Sequence, residues 1–120
     1  MLAFSNGLNI YVALEPCDLR KGFHGLHALA LGELKGKVDE RSIFVFGNRA
    51  RTLVKILAFD GTGLWVCAKR LEKGRFSWPR GDGKRLRLAP EALQWLLGGV
   101  ELREGKLLPW YGRGDDESAP

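Results

Sequence analysis

A chain of 120 residues, of which 45% are hydrophobic, can bury one compact core and is too short for two ordinary domains. No apolar run approaches the roughly 18 residues that a membrane-spanning helix needs. Because the N-terminus also lacks the basic leader of a secretory signal, we expect a soluble cytoplasmic protein without membrane contact. We expect one domain over residues 1–110 and a disordered acidic tail over residues 111–120.

The net charge of +5 is concentrated in the middle of the chain. Residues 41–87 carry twelve Lys or Arg against three Asp or Glu, so this segment alone has a net charge of +9. Nucleic acid is the commonest partner of such a segment, although a solvated sheet face also carries Lys and Arg.

The first elements in the chain are a predicted strand and a predicted amphipathic helix. Residues 9–14 predict a strand, because a turn signal precedes them and Glu15-Pro16 follows them. Asp18 then predicts a helix N-cap, because apolar residues after it recur at spacings of three and four. The predicted buried stripe of this helix is Leu19, Phe23, Leu26, Ala30 and Leu34.

The middle of the chain predicts strands joined by tight turns. The runs SIFVF, TLVKILAF and GLWVCAKR predict three strands, and the dipeptide Asp60-Gly61 predicts a hairpin turn. RFSW predicts a fourth short strand and KRLRL another, and LAPEALQWLLGGV predicts a short helix that starts near Pro90. The expected fold is therefore α+β: an antiparallel meander of about four to six short strands, covered on one face by the N-terminal amphipathic helix, plus a short C-terminal helix.

No catalytic or metal-binding motif stands out. His24 and His27 share one predicted helix without a clear third ligand, and Cys17 and Cys67 have no C-x-x-C partner. Neither a G-x-S-x-G motif nor a phosphate-binding loop is present. The carboxylates that a metal-dependent reaction would need each have a simpler structural role; they are Asp18, Asp60, Glu72 and Asp82. We therefore expect no catalytic residue, no cofactor and no metal.

The basic residues of the middle segment are the candidate nucleic-acid-binding site. They cluster at predicted turns, where Lys and Arg side chains can neutralise phosphates. The predicted set is Arg49, Arg51, Lys55, Lys69, Arg70, Lys73 and Arg75. Trp65, Phe76 and Trp78 could stack on unpaired bases. The favoured interpretation is that Phe76 and Trp78 are buried against the N-terminal helix, because a domain this small needs large core residues.

Several blocks of the sequence, in this order, resemble a known family. They are DLRKGF, IFVFGNRARTLVKIL, DGTGL, KRLEKGRFSWP and LAPEALQWLLGG. Over about residues 5–100 the chain resembles the TnpB accessory proteins, which are encoded by the second open reading frame of bacterial insertion sequences of family sixty-six. The resemblance implies a role in DNA transposition beside a separate, larger transposase that carries the catalytic carboxylates.

Three functional hypotheses follow from the residues and the resemblance together. The leading one is a non-catalytic accessory factor that binds DNA, the transposase, or both through the basic meander. The second is a protein-interaction module that contacts only the transposase and no DNA. The third and weakest is a metal-dependent nuclease that uses Asp18, Asp60 or Glu72.

Overall fold

The computed structural model describes residues 7–98, 100–103 and 106–109, and it describes side chains over residues 7–98. In chain order the elements are β1 (Asn9–Ala13), α1 (Phe23–Leu31), β2 (Ser42–Gly47), β3 (Leu53–Phe59), β4 (Leu64–Arg70), β5 (Arg85–Leu88), α2 (Pro90–Gly98), β6 (Val100–Arg103) and β7 (Lys106–Pro109). The predicted tail at residues 111–120 lies outside the described residues.

Five strands form one mixed sheet in the order β4-β3-β2-β1-β5. β2, β3 and β4 are successively antiparallel, and β5 is antiparallel to β1. β1 is parallel to β2, with Val12 opposite Val45. This pairing is possible because the long connection through α1 carries the chain back to the end of the sheet where β1 begins. β6 and β7 form a separate antiparallel pair.

The α+β class is confirmed, and two parts of the predicted architecture are corrected. The all-antiparallel meander is wrong, because the sheet contains the parallel pair β1–β2. The cover on a single face is also corrected: the helix that follows β1 packs on one face, and Leu93 and Leu96 of α2 pack against the other.

The two faces of the sheet carry separate cores. On one face, Leu26 of α1 packs in a cluster with Phe44 of β2 and Leu57 of β3. On the other face, Leu93 of α2 packs in a cluster with Val45 of β2. Every residue of β2 is buried, because this strand has neighbours on both sides and side chains above and below. The sheet is therefore the middle layer between the two helices.

The start of α1 differs from the prediction because Asp18 has another role. Its carboxylate accepts hydrogen bonds from the backbone N–H of Arg20 at 3.1 Å and from the Arg20 guanidinium at 3.0 and 2.9 Å. The residue that precedes the helix is Gly22, which has no side chain to cap it. Helical spacing counted from Leu19 therefore fails at Phe23, which is 50% exposed.

RFSW forms a loop with a single bridge at Arg75 instead of the predicted strand. The backbone N–H of Phe76 donates to the Arg51 carbonyl oxygen at 2.7 Å. The Phe76 side chain is 3% exposed and Trp78 is partly buried, so their inward orientation is confirmed. The predicted packing of the two rings against the N-terminal helix is wrong, because both rings belong to the core on the α2 face.

Candidate nucleic-acid interface

One end of the five-stranded sheet brings four charged segments together. The strand register places Ala13 opposite Arg85 and Leu53 opposite Arg70, so β1, β2 and β4 end where β3 and β5 begin. We call the four segments at this end, residues 15–21, 48–52, 69–75 and 80–85, the basic end. They contain eleven Lys or Arg and four Asp or Glu, a net charge of +7 in a chain whose total is +5.

Asn48 builds the β2–β3 turn that carries Arg49 and Arg51. Its side-chain oxygen accepts hydrogen bonds from the backbone N–H groups of Thr52 at 2.9 Å and Leu53 at 3.1 Å. Its backbone N–H donates to the Leu53 carbonyl oxygen at 3.1 Å. These bonds fix a tight turn whose exposed tip is Arg49.

Arg51 points into the protein. Its guanidinium lies 4.4 Å from the centre of the Trp78 ring, and Nη2 donates to the Leu14 carbonyl oxygen at 3.3 Å. Among the described residues Nη1 is buried without a hydrogen-bond partner, and burial lowers the pKa of Arg51 from its ordinary value. Trp78 is held in turn by its own Nε1–H, which donates to the Ala13 carbonyl oxygen at 2.9 Å. Arg51 therefore ties the turn to the core.

The loop after β4 places two more predicted cations beside this turn. The Leu71 N–H donates to the Thr52 carbonyl oxygen at 2.9 Å, and Phe76 bonds to Arg51 as described above. Between these two anchors, Lys73 and Arg75 are exposed. Over residues 7–98, neither side chain has an ion-pair partner. Lys73 and Arg75 are therefore free to meet an anion.

Arg70 and Lys55 line a groove on the α1 face of the sheet. The groove has a volume of about 640 Å³ and is also lined by Arg20 and Asn48. Arg70 is exposed, whereas Lys55 is half-buried and its Nζ donates to the Lys21 carbonyl oxygen at 3.4 Å. This groove joins part of the basic end to the segment that precedes α1.

Lys69 lies on the opposite face from Arg70, as strand alternation requires. Its Nζ donates to the Leu97 carbonyl oxygen near the end of α2 at 2.8 Å. The seven predicted residues are thus divided among four places. Arg51 lies in the interior and Arg49 at the exposed tip of the β2–β3 turn. Lys73 and Arg75 lie in the exposed loop after β4, and Lys55, Arg70 and Lys69 lie on the two faces of the sheet.

The predicted site leaves out five cations of the basic end. Arg80, Lys84 and Arg85 belong to the basic middle segment but not to the predicted set, and Arg20 and Lys21 lie outside that segment. Three of them have partners within the chain. Lys84 pairs with Glu15 at 3.2 Å and Glu33 at 3.6 Å, and its hydrogen bond to Glu15 raises its pKa. The Arg85 guanidinium stacks 4.4 Å from the Tyr11 ring centre. Arg20 and Lys21 could not be grouped with the other cations without the parallel pairing of β1 and β2.

Arg20 is the third of these cations with a partner, and its partner is Asp18. The Arg20 hydrogen bonds hold the pKa of the Asp18 carboxyl well below its usual range. The carboxylate therefore stays charged and neutralises Arg20, so this pair adds little to the positive potential of the basic end.

Trp65 and Asp60 lie away from the basic end. The Trp65 indole N–H donates to the Asp60 carboxylate at 2.7 Å, at the opposite end of the sheet. Asp60 and Asp18 therefore do not converge. Among the described residues, no group of three or more His, Cys, Asp or Glu could hold a metal ion, and no helix has the length and apolar character needed to cross a bilayer.

Comparison with known proteins supports the resemblance of the sequence blocks. The family model TnpB_IS66, described as IS66 Orf2 like protein, matches residues 8–106. The chain belongs to this family. Two relatives from Sinorhizobium fredii (strain NBRC 101917 / NGR234) are each 33% identical to it. Uncharacterized protein y4hO matches over 86% of this chain and 90% of its own length, and Uncharacterized protein y4jC over 91% and 93%. No solved structure matches the chain significantly.

Membership of the IS66 Orf2-like family confirms the suspected relationship. It indicates an accessory role in transposition of an insertion sequence. The match includes all four segments of the basic end, because it begins before β1 and ends after α2.

Proposed function

We propose that this IS66 Orf2-like protein is a non-catalytic accessory factor that binds DNA phosphates through the basic end. The observation that carries the proposal is the gathering of four separate segments, with a net charge of +7, at one end of one sheet. A surface that neutralises several phosphates gains affinity through counterion release, and this gain does not depend on the DNA sequence.

Four members of the predicted set are assigned as phosphate contacts: Arg49, Arg70, Lys73 and Arg75. Each is exposed, and none has an ion-pair partner among residues 7–98. They come from turns and from the end of a strand, so they form a broad charged surface. Such a surface suits the DNA backbone better than the base edges, which are usually read by an element that enters a groove.

The remaining three members of the set are given supporting roles. Lys55 and Lys69 each donate to a backbone carbonyl oxygen, and they add positive charge without being free to reach far. Arg51 keeps the β2–β3 turn in place and so positions Arg49.

The test is a DNA-binding titration of the double variant Arg70→Ala, Arg75→Ala across a salt series. If each side chain neutralises one phosphate, affinity falls and the slope of log K against log salt becomes shallower by about 1.8, or about 0.9 per contact. The matched control is Lys37→Ala, Arg41→Ala, which removes the same charge from exposed positions near the start of β2, at the other end of the sheet. The control should keep the slope of the unmodified protein.

Equal slopes for the two double variants would refute the proposal, because binding would then follow total charge alone. Fluorescence anisotropy with a terminal-repeat duplex and a random duplex gives both affinity and any sequence preference. Phosphate contacts predict similar losses on the two duplexes.

Direct contact between the basic end and an acidic surface of the transposase is the alternative. The exposed cations would suit carboxylates as well as phosphates. Pull-down of the transposase after nuclease treatment separates the two cases. Capture that survives nuclease and is lost in the Arg70→Ala, Arg75→Ala variant would favour this alternative, provided that the variant's DNA binding is unchanged.

A further inference from the structure

β4 is an edge strand whose outer side has no partner in the part of the chain that the structure describes. The bonds on either side of β4 show which of its residues point outward. The Asp60 N–H donates to the Gly63 carbonyl oxygen at 3.1 Å, and the Leu71 N–H donates to Thr52 at 2.9 Å. Odd-numbered residues of β4 therefore bond to β3, since hydrogen-bonded pairs alternate along an antiparallel ladder. The outward backbone groups belong to Leu64, Val66, Ala68 and Arg70.

The two edge strands of the sheet differ in how many charged residues they carry. β5 has four residues, and its Arg85 and Arg87 are exposed. β4 has seven residues, of which the first five, LWVCA, are uncharged. Trp65 within it is 48% exposed. A long, largely apolar edge strand is a template for pairing with another strand, and charged side chains on an edge oppose such pairing.

We propose that β4 pairs with β4 of a second copy of this chain, antiparallel and about a two-fold axis at Cys67. This register uses all seven residues of the strand. The hydrogen-bonded pairs are Leu64 with Arg70 of the second copy and Val66 with Ala68 of the second copy, together with their symmetry mates. Because these are the residues whose backbone groups point outward, every one of those groups gains a partner.

Charge explains why the second copy is antiparallel. In a parallel pair, Lys69 and Arg70 would lie beside the same two cations of the other copy, and like charges opposite each other destabilise a sheet. In the antiparallel register Lys69 faces Trp65 of the second copy, a cation beside an aromatic ring. Arg70 faces Leu64 of the second copy, and the turn that carries Asp60 of the second copy lies between its β3 and β4, next to Leu64. The basic ends of the two copies then lie at opposite strand ends of a ten-stranded sheet.

Cysteine cross-linking tests the register directly. Cys67 would face its own copy in a pair without backbone hydrogen bonds, where Cα atoms are about 4.5 Å apart, which is close enough for a disulfide. In a Cys17→Ser background, Cys67 is the only thiol. Mild oxidation with copper phenanthroline should give a dimer on a non-reducing gel.

The matched control is Lys69→Cys in a Cys17→Ser, Cys67→Ser background. Residue 69 lies on the same face of the same strand and is exposed, whereas Cys67 is partly buried, so random collision would favour residue 69. In the proposed register it is offset from its own copy by four residues, roughly 13 Å, which is too far for a disulfide. Equal cross-linking of the two single-thiol proteins would overturn the register, because random collision would explain both.

Sedimentation equilibrium of the protein with its native cysteines reduced tests the association itself. Ala68→Pro removes an outward N–H and no bond to β3, so we expect it to raise the dimer dissociation constant at least about tenfold. Ala68→Thr keeps the N–H and should change it by less than about threefold. A monomer at about 100 µM, well above the range of a specific dimer, would overturn the proposal and leave this edge to a strand of a different protein. If Ala68→Pro does not fold, the cross-linking comparison decides.

Discussion

Replacing Arg51 should lower stability, whereas replacing Arg49 two residues earlier should lower only DNA affinity. Arg51→Ala removes the stacking on Trp78 at 4.4 Å, worth about 0.5–2 kcal/mol, and the 3.3 Å hydrogen bond to Leu14. A charged hydrogen bond of that length contributes at the lower end of its usual range, about 1.5 kcal/mol. Because the variant also removes Nη1, which is buried without a partner, about 1 kcal/mol is recovered. The expected net loss of unfolding free energy is about 2 kcal/mol.

The backbone at Arg51 allows a second, independent comparison. Its φ is 60°, in the left-handed region that glycine adopts without strain. Arg51→Gly loses the same side-chain contacts as Arg51→Ala, but it relieves backbone strain of about 1 kcal/mol. Relief of native strain outweighs the greater freedom of glycine in the unfolded chain, so the glycine variant should be the more stable of the two.

Urea unfolding followed by tryptophan fluorescence measures both differences. Arg49→Ala is the control, since Arg49 is exposed and its loss should change unfolding free energy by less than about 0.5 kcal/mol. Equal stability of Arg51→Ala and Arg49→Ala would contradict the anchoring role of Arg51. A glycine variant less stable than the alanine variant would contradict the strain argument.

Two further predictions concern the hairpin turn and the core. Asp60→Asn should lower the melting temperature at pH 7, because hydrogen bonds, first that of Trp65 and then those of Thr62 and Gly63, depress the pKa of the Asp60 carboxyl. The stabilisation is complete above the ordinary carboxyl pKa and is lost as pH falls through the depressed value, so the difference in melting temperature should shrink below about pH 4; a difference that grew on acidification would contradict the assignment. Phe76→Ala should cost about 3–5 kcal/mol of unfolding free energy and Phe23→Ala less than about 1 kcal/mol, since Phe76 is 3% exposed and Phe23 is 50% exposed. Similar losses in urea unfolding would show that Phe23 belongs to the core.

Strand positions could be predicted from the sequence because they depend on local composition. The runs SIFVF, TLVKILAF, GLWVCAKR and KRLRL lie within one residue of β2, β3, β4 and β5. The prediction of a strand at RFSW is wrong, although polar and apolar residues alternate there. A strand also needs a neighbour, and only Arg75 makes a bridge there. Local alternation places Phe76 in the core, but it does not form a ladder.

The position of Asp18 shows a limit of capping arguments. Asp followed by an apolar periodic run predicts an N-cap, and the same side chain also closes local turns with the residue two positions on. Here the Arg20 side chain adds two hydrogen bonds to the turn, which favours that alternative. A basic residue two positions after Asp is the signal that could have changed the prediction.

The parallel pairing of β1 could not be predicted from turn signals, because it depends on a connection of 28 residues between two strand ends. One sequence signal did exist: the apolar run IFVF in β2 does not alternate, as expected for a strand that is covered on both faces.

The same parallel pair determines the net charge of the basic end. If β1 ran the other way, with β5 still antiparallel to it, residues 15–21 and 80–85 would lie at the opposite end of the sheet from residues 48–52 and 69–75. The first pair of segments has a net charge of +2 and the second +5, so no end would reach +7. A count of charge along the chain finds residues 41–87 but cannot include Lys21, which only the crossover through α1 brings to this end. The strand direction that local sequence leaves open is therefore what assembles the proposed phosphate-binding surface.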